Sequence, residues 1–157
     1  MTARIRPAVS PEHIALAREL FLEYEKSIGI SLCFQNFAEE VASLPGAYAP
    51  PDGRLLLAKH GGRLAGCVAL RKIGDDVAEM KRLYVRLAFR GMGVGRTLAA
   101  AVLAEAKAIG YRAVRLDTLA TMQEAQALYL SINFRDIPAY NEHPIEGTRF
   151  LEKKLQK

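Results

Sequence analysis

Cysteine, histidine and long apolar runs are all scarce in this 157-residue chain, and each shortage narrows its chemistry. The two cysteines, Cys33 and Cys67, lack any short metal-type spacing, so reduced structural thiols are expected. His13, His60 and His143 stand far apart and form no HExxH-like pattern, so no metal is expected. No apolar stretch is long enough to cross a bilayer. The segment Met1 to Pro7 lacks the apolar run that follows the basic residues of a signal peptide. A cytoplasmic protein with no membrane partner is the expectation. Internal repeats, low-complexity segments and linkers are also missing, so residues 1–157 read as one domain. The lysines and arginines behind the formal charge of +5 are scattered, with no dense run and no interleaved aromatics. Nucleic acid is therefore not an expected partner. A small polyanionic ligand accounts for modest basicity as well as nucleic acid does, and so does a solvated surface.

What is present favours a compact fold. Half the residues are hydrophobic and a quarter charged, and a chain of this length buries roughly two thirds of its unfolded surface. Residues 4–9 read as a short strand, with Pro7 favouring a sheet edge. Ser10-Pro11-Glu12 starts a helix, carried by Ile14, Ala17, Leu20, Phe21 and Tyr24 and broken at residues 27–31. A second short helix is expected over 34–43. Strands at 54–60 and 63–72 flank Gly61-Gly62, a hairpin signal. Residues 77–85 form the next strand, with Leu83 and Val85 on one face and Arg82 and Tyr84 on the other. A long helix follows Gly95 and closes at Gly110. Then come a strand at 112–119, a helix at 122–132 and a last strand at 147–155. The pattern is an α+β, three-layer fold: a mixed, mostly antiparallel sheet of 6–7 strands flanked by about four helices.

The strand at 77–85 and the long helix are joined by Arg90-Gly91-Met92-Gly93-Val94-Gly95-Arg96-Thr97. Alternating glycines let backbone N–H groups approach an anion, and a helix start favours negative charge. Arg90 and Arg96 add charge on either side. Three phosphate-binding patterns compete. The P-loop pattern fails, because Arg96 stands for its lysine and Arg90 for its first glycine. The dinucleotide pattern GxGxxG fails too, its third glycine falling on Arg96 or Leu98. The third pattern, [RQ]-x-x-G-x-[GA], is matched in full by residues 90–95.

This last pattern resembles the diphosphate motif of the GNAT superfamily of N-acetyltransferases. Glu79-Met80-Lys81-Arg82-Leu83-Tyr84-Val85 is similar to that family's fourth strand and 111–119 to its fifth. Ala125-x-x-Leu128-Tyr129-x-x-x-x-Phe134 is similar to its A-x-x-L-Y-x-x-x-G-F segment. The family's Gly is Asn133 here, a residue that tolerates the same left-handed backbone. Met122 stands where an Asn is common, which removes one contact to the cofactor arm.

The resemblance implies acetyl-CoA as co-substrate and acetyl transfer to a primary amine by direct attack. It implies cofactor contacts from Leu83, Tyr84, Val85, Arg90, Gly91, Met92, Gly93, Val94, Gly95, Arg96 and Thr97. Tyr129 falls on the family's general acid. Glu79 is the candidate general base, acting through water, with Asp117 and Glu124 as further candidates. Tyr84, Tyr140 and His143 are candidates to line the acceptor pocket. The acceptor itself is open: a small amine, an amino acid, an aminoglycoside, a protein N-terminus or a lysine. Dimers are common in the family, so a homodimer is compatible. The alternative reading is a non-catalytic acyl-CoA-binding module on the same fold.

Overall fold

The computed structural model describes residues 2–29, 36–141 and 145–155. Cys33, His143 and the first residues of the helix expected over 34–43 lie outside the described residues. The elements are β1 (Arg4–Pro7), α1 (Pro11–Ile28), α2 (Phe37–Ala42), β2 (Arg54–His60), β3 (Arg63–Gly74), β4 (Val77–Val85), α3 (Val94–Ile109), β5 (Ala113–Thr118), α4 (Gln123–Ser131), β6 (Arg135–Asp136) and β7 (Arg149–Lys154). The Ser10 hydroxyl accepts the His13 N–H at 3.2 Å and caps α1, with Pro11 in the first turn, where its missing N–H costs nothing. Gly61 and Gly62 both have positive φ, the turn that matches strand twist in a two-residue hairpin.

The seven strands form one sheet in the order β1-β2-β3-β4-β5-β7-β6. β4 and β5 are parallel, joined by the α3 crossover, and every other neighbouring pair is antiparallel. β1 is an edge, as Pro7 requires. β6 has two residues, too few to carry any periodicity, and this strand is invisible in the sequence.

Both faces of the sheet are covered. Leu98, Val102 and Ala106 of α3 pack on Leu56, Val68, Leu70 and Met80. Ala17, Leu20 and Phe21 of α1, with Phe37 and Val41 of α2, pack on Leu55, Leu57, Cys67 and Ala69. Two-sided burial explains why β2 and β3 read as continuous apolar runs instead of alternating. Cys67 is fully buried, its Sγ–H donating to the Arg82 carbonyl at 3.4 Å, and burial pushes the thiol up. No described helix is long and apolar enough to cross a membrane.

The central irregularity is a wedge. β4 pairs with β5 only through Val77, Ala78 and Glu79, opposite Ala113, Val114 and Arg115. Beyond that point each strand stays paired on its outer side, β4 to β3 as far as Val85 opposite Gly66, and β5 to β7 as far as Thr118 opposite Arg149. The strands thus part from each other without losing their other partners. A bulge accompanies the parting: three steps along β4, from Lys81 to Tyr84, face two along β3, from Ala69 to Cys67. Within it Arg82 sits at φ +60°, a left-handed conformation that costs a non-glycine residue about 1–2 kcal/mol. Its buried guanidinium is anchored by both carboxylate oxygens of Glu40, at 2.9 Å each, and lies over the rings of Phe37 and Tyr24.

Gly66 makes the bulge fit. A β-carbon there would collide with the Tyr84 carbonyl oxygen, a backbone atom that cannot swing aside. Gly66→Ala is expected to cost about 3 kcal/mol, which lowers Tm by about 10 °C in a chain of this size. Scanning calorimetry checks it; an unchanged Tm would show that β3 and β4 do not need this close approach.

Candidate functional site

The wedge opens into a cleft of about 740 Å³. Leu83, Tyr84 and Val85 of β4 form one wall, Met122 at the N-cap of α4 with Ala125 and Leu128 of that helix another, and Tyr24 and Ile28 of α1 a third. Arg90, Gly91, Gly93, Val94 and Gly95 close the remaining side. The turn is shaped by two left-handed glycines, Gly91 at φ +79° and Gly93 at φ +78°. Gly93 is the N-cap of α3, and no side chain caps that helix. A β-carbon on either glycine would meet nothing within 4 Å, so open space and positive φ, not protein packing, set the requirement for glycine. The helix start therefore presents backbone N–H groups and the positive end of its dipole to a concave surface, an anion-binding arrangement.

Three residues of the expected cofactor set do not line the cleft. Met92 is exposed at the tip of the turn. Arg96 donates to the Ser131 hydroxyl at 3.0 Å, tying α3 to α4. Thr97 donates both its N–H and its hydroxyl to the Gly93 carbonyl, at 3.0 and 2.9 Å, and closes the first helical turn. Arg90 does line it and donates to the Val85 carbonyl at 3.0 Å, fixing the turn on the end of β4.

Tyr129 sits on α4 just behind the lining residues Ala125 and Leu128, its ring 5.7 Å from that of Phe134. Asn133, at φ +77°, takes the left-handed position that lets Phe134 fold back into the core. Burial raises the Tyr129 hydroxyl above the ordinary tyrosine range, and the charges of Tyr24 and Asp117 push the same way. Tyr84 donates to Glu23 at 3.2 Å. Arg86 also binds Glu23, at 3.0 and 2.7 Å, and anchors α1 to the end of β4. The Arg86 hydrogen bond holds the Glu23 carboxyl below its usual range.

Glu79 is placed at the inner end of the wedge, the last β4 residue paired with β5, and it is almost fully buried. Its Oε1 accepts from Arg71 Nε at 2.8 Å and its Oε2 from the Tyr140 hydroxyl at 2.6 Å. Arg71, Glu79, Arg115 and Glu152 stand in register on four neighbouring strands, a row of alternating charge. Arg115 donates to Glu152 at 2.7 Å and lies over the Tyr140 ring. Asp117 accepts from Asn141 at 3.3 Å, and Glu124 lies on the cleft wall at the start of α4. Tyr140 thus reaches Glu79 and not the cleft lining, whereas Tyr84 lines the cleft directly.

Sequence reasoning missed Arg82 and Glu40, which hold the bulge, and Gly66, which admits it. A glycine inside an apolar strand is a bulge signal, so Gly66 was legible in principle. Nothing local marks Arg82 for a left-handed backbone. Among the described residues no group of histidine, cysteine and acidic side chains could hold a metal ion.

Comparison with known proteins agrees with this fold. A model of the acetyltransferase (GNAT) family matches residues 15–134. An uncharacterized N-acetyltransferase of Schizosaccharomyces pombe is 35% identical over 150 residues, covering 94% of this chain and 91% of that protein. The crystal structure of a GNAT-family acetyltransferase from Staphylococcus aureus superposes with a TM-score of 0.81 at 19% identity, over 99% of this chain and 100% of that one. An N-acetyltransferase from Thermoplasma acidophilum, solved in complex with coenzyme A, superposes with a TM-score of 0.73 at 22% identity, over 99% of this chain and 100% of that one. At these identities the structural likenesses establish the fold.

Proposed function

Because the chain belongs to the GNAT family of acetyltransferases, we propose that it moves an acetyl group from acetyl-CoA to a primary amine by direct attack. The observation that carries this reading is the uncapped start of α3 opening onto the wedge between β4 and β5. The N–H groups of the turn 91–95 bind the diphosphate, and the backbone of Leu83–Val85, released from β5, holds the pantetheine arm and the thioester carbonyl.

The amine nitrogen attacks the carbonyl carbon, the C–S bond breaks, and Tyr129 gives its proton to the departing thiolate. Glu79 takes the proton lost by the amine. Both Glu79 oxygens already accept hydrogen bonds from Arg71 and Tyr140, which supports transfer through water instead of direct contact with the amine. Tyr84 at the cleft and Tyr140 beside Glu79 belong to the acceptor side.

The test is release of coenzyme A thiol from acetyl-CoA with a panel of aliphatic amines, amino acids, aminoglycosides and lysine peptides. Amine-dependent release is expected with at least one acceptor class. Tight acetyl-CoA binding without thiol release from any acceptor would leave the acyl-CoA-binding module as the function.

A further inference from the structure

A second cavity, of about 590 Å³, shares no lining residue with the wedge and lies where β1 forms the edge of the sheet. Its charged and titratable lining is Arg4, Arg6, Lys59 and His13, with no carboxylate among the lining residues. The strand register explains the convergence. Arg4 lies opposite Lys59 and Arg6 opposite Leu57, and Leu57 packs on the α1 side of the sheet. The three cations therefore share the face on which the first turn of α1 presents His13. The Gly61-Gly62 turn closes the cavity from the end of β2.

These arginines differ from the rest. Every other arginine of the chain donates to a carboxylate, a carbonyl or a hydroxyl, pairs with a carboxylate within 4 Å as Arg112 does with Asp76, or lies over an aromatic ring. Among the described residues Arg4 and Arg6 make no such contact, and both open into one concavity. Guanidinium forks match phosphate oxygens in pairs, and a cavity of this volume falls in the range that holds small ligands.

We propose that this edge cavity is a second anion site, separate from the acetyl-CoA cleft, for a small phosphate-bearing molecule held by Arg4, Arg6 and Lys59. A bland account exists: edge strands carry charge to prevent strand-to-strand aggregation. That account needs exposed charge but no saturable binding, and this difference decides the matter.

The experiment uses the full chain, isotope-labelled, saturated with coenzyme A so that the turn 91–95 is occupied. Inorganic diphosphate is titrated at about 0.15 M salt, where weak surface attraction is screened, and amide resonances are followed. Saturable shifts at Lys59, Gly61 and Gly62 are expected. Arg4→Gln with Arg6→Gln is expected to weaken the fitted affinity by about tenfold or more, the loss of charge-assisted hydrogen bonds. The spectrum itself reports whether that variant is folded; Lys59→Gln, one charge fewer on a neighbouring strand, gives an independent and smaller loss. Non-saturating shifts, shifts of equal size in wild type and double variant, or shifts confined to residues 91–95 would overturn the proposal. Salt-sensitive binding of an oligonucleotide to the same amides in preference to diphosphate would also overturn it, in favour of a nucleic-acid surface.

Discussion

Replacing Tyr129 with Phe is expected to lower kcat by about a hundredfold or more, while acetyl-CoA affinity changes little. The substitution deletes one oxygen and keeps the ring, so the contact with Phe134 survives. Burial is the first cause that lifts this hydroxyl above its ordinary value. The hydroxyl therefore stays protonated through neutral pH, as a donor to a leaving thiolate must. The same poorly solvated surroundings raise the proton affinity of the thiolate as the C–S bond breaks, which favours the transfer. Loss of the Tyr129 proton should accordingly cause no alkaline fall in kcat below about pH 10. Steady-state thiol release and calorimetric titration with coenzyme A measure the two quantities separately. A variant that turns over at the wild-type rate removes Tyr129 from the chemistry, whatever the fate of the fold.

Gly93→Val is expected to weaken acetyl-CoA binding by about a hundredfold, the equivalent of two charge-assisted hydrogen bonds. Two effects have to be separated. Gly93 sits at φ +78°, where a side chain costs about 1–2 kcal/mol, so Tm should fall by only a few degrees. Chain neighbours aside, the added β-carbon meets no protein atom within 4 Å, so the strain of a positive φ is the structural effect to separate from the loss of affinity. What the methyl groups do occupy is the cleft surface where a phosphate oxygen must come within about 2.9 Å of the backbone N–H. Circular dichroism establishes that the variant is folded, and titration then reads the affinity. Wild-type affinity in a folded variant would take the turn out of the donor site.

The glycine turn between β4 and α3 was legible because its demands are local: glycine spacing, a preceding strand and a following helix all appear in contiguous residues. Ser10, Gly61-Gly62 and Asn133 were legible for the same reason, since each satisfies a backbone requirement within a few residues of itself. The wedge was not. It depends on β4 keeping β3 while leaving β5, and on Arg82 finding Glu40 forty-two positions earlier. The surroundings of Glu79 were equally hidden, because Arg71 and Tyr140 reach it from a neighbouring strand and from a distant loop. Pairings of this kind are decided by tertiary packing, and a reading by period and spacing does not resolve them.

The parting of β4 from β5 is held from outside, by β3 and β7, by Gly66 and by the Arg82–Glu40 pair. An arriving ligand has no ladder to break and no strand to displace. For the proposed acetyl-CoA donor, preorganisation of this sort would leave binding energy for orienting the thioester, with nothing diverted into opening the protein. Kinetically the corollary is association limited by encounter and docking, without a separate slow isomerisation before the donor enters.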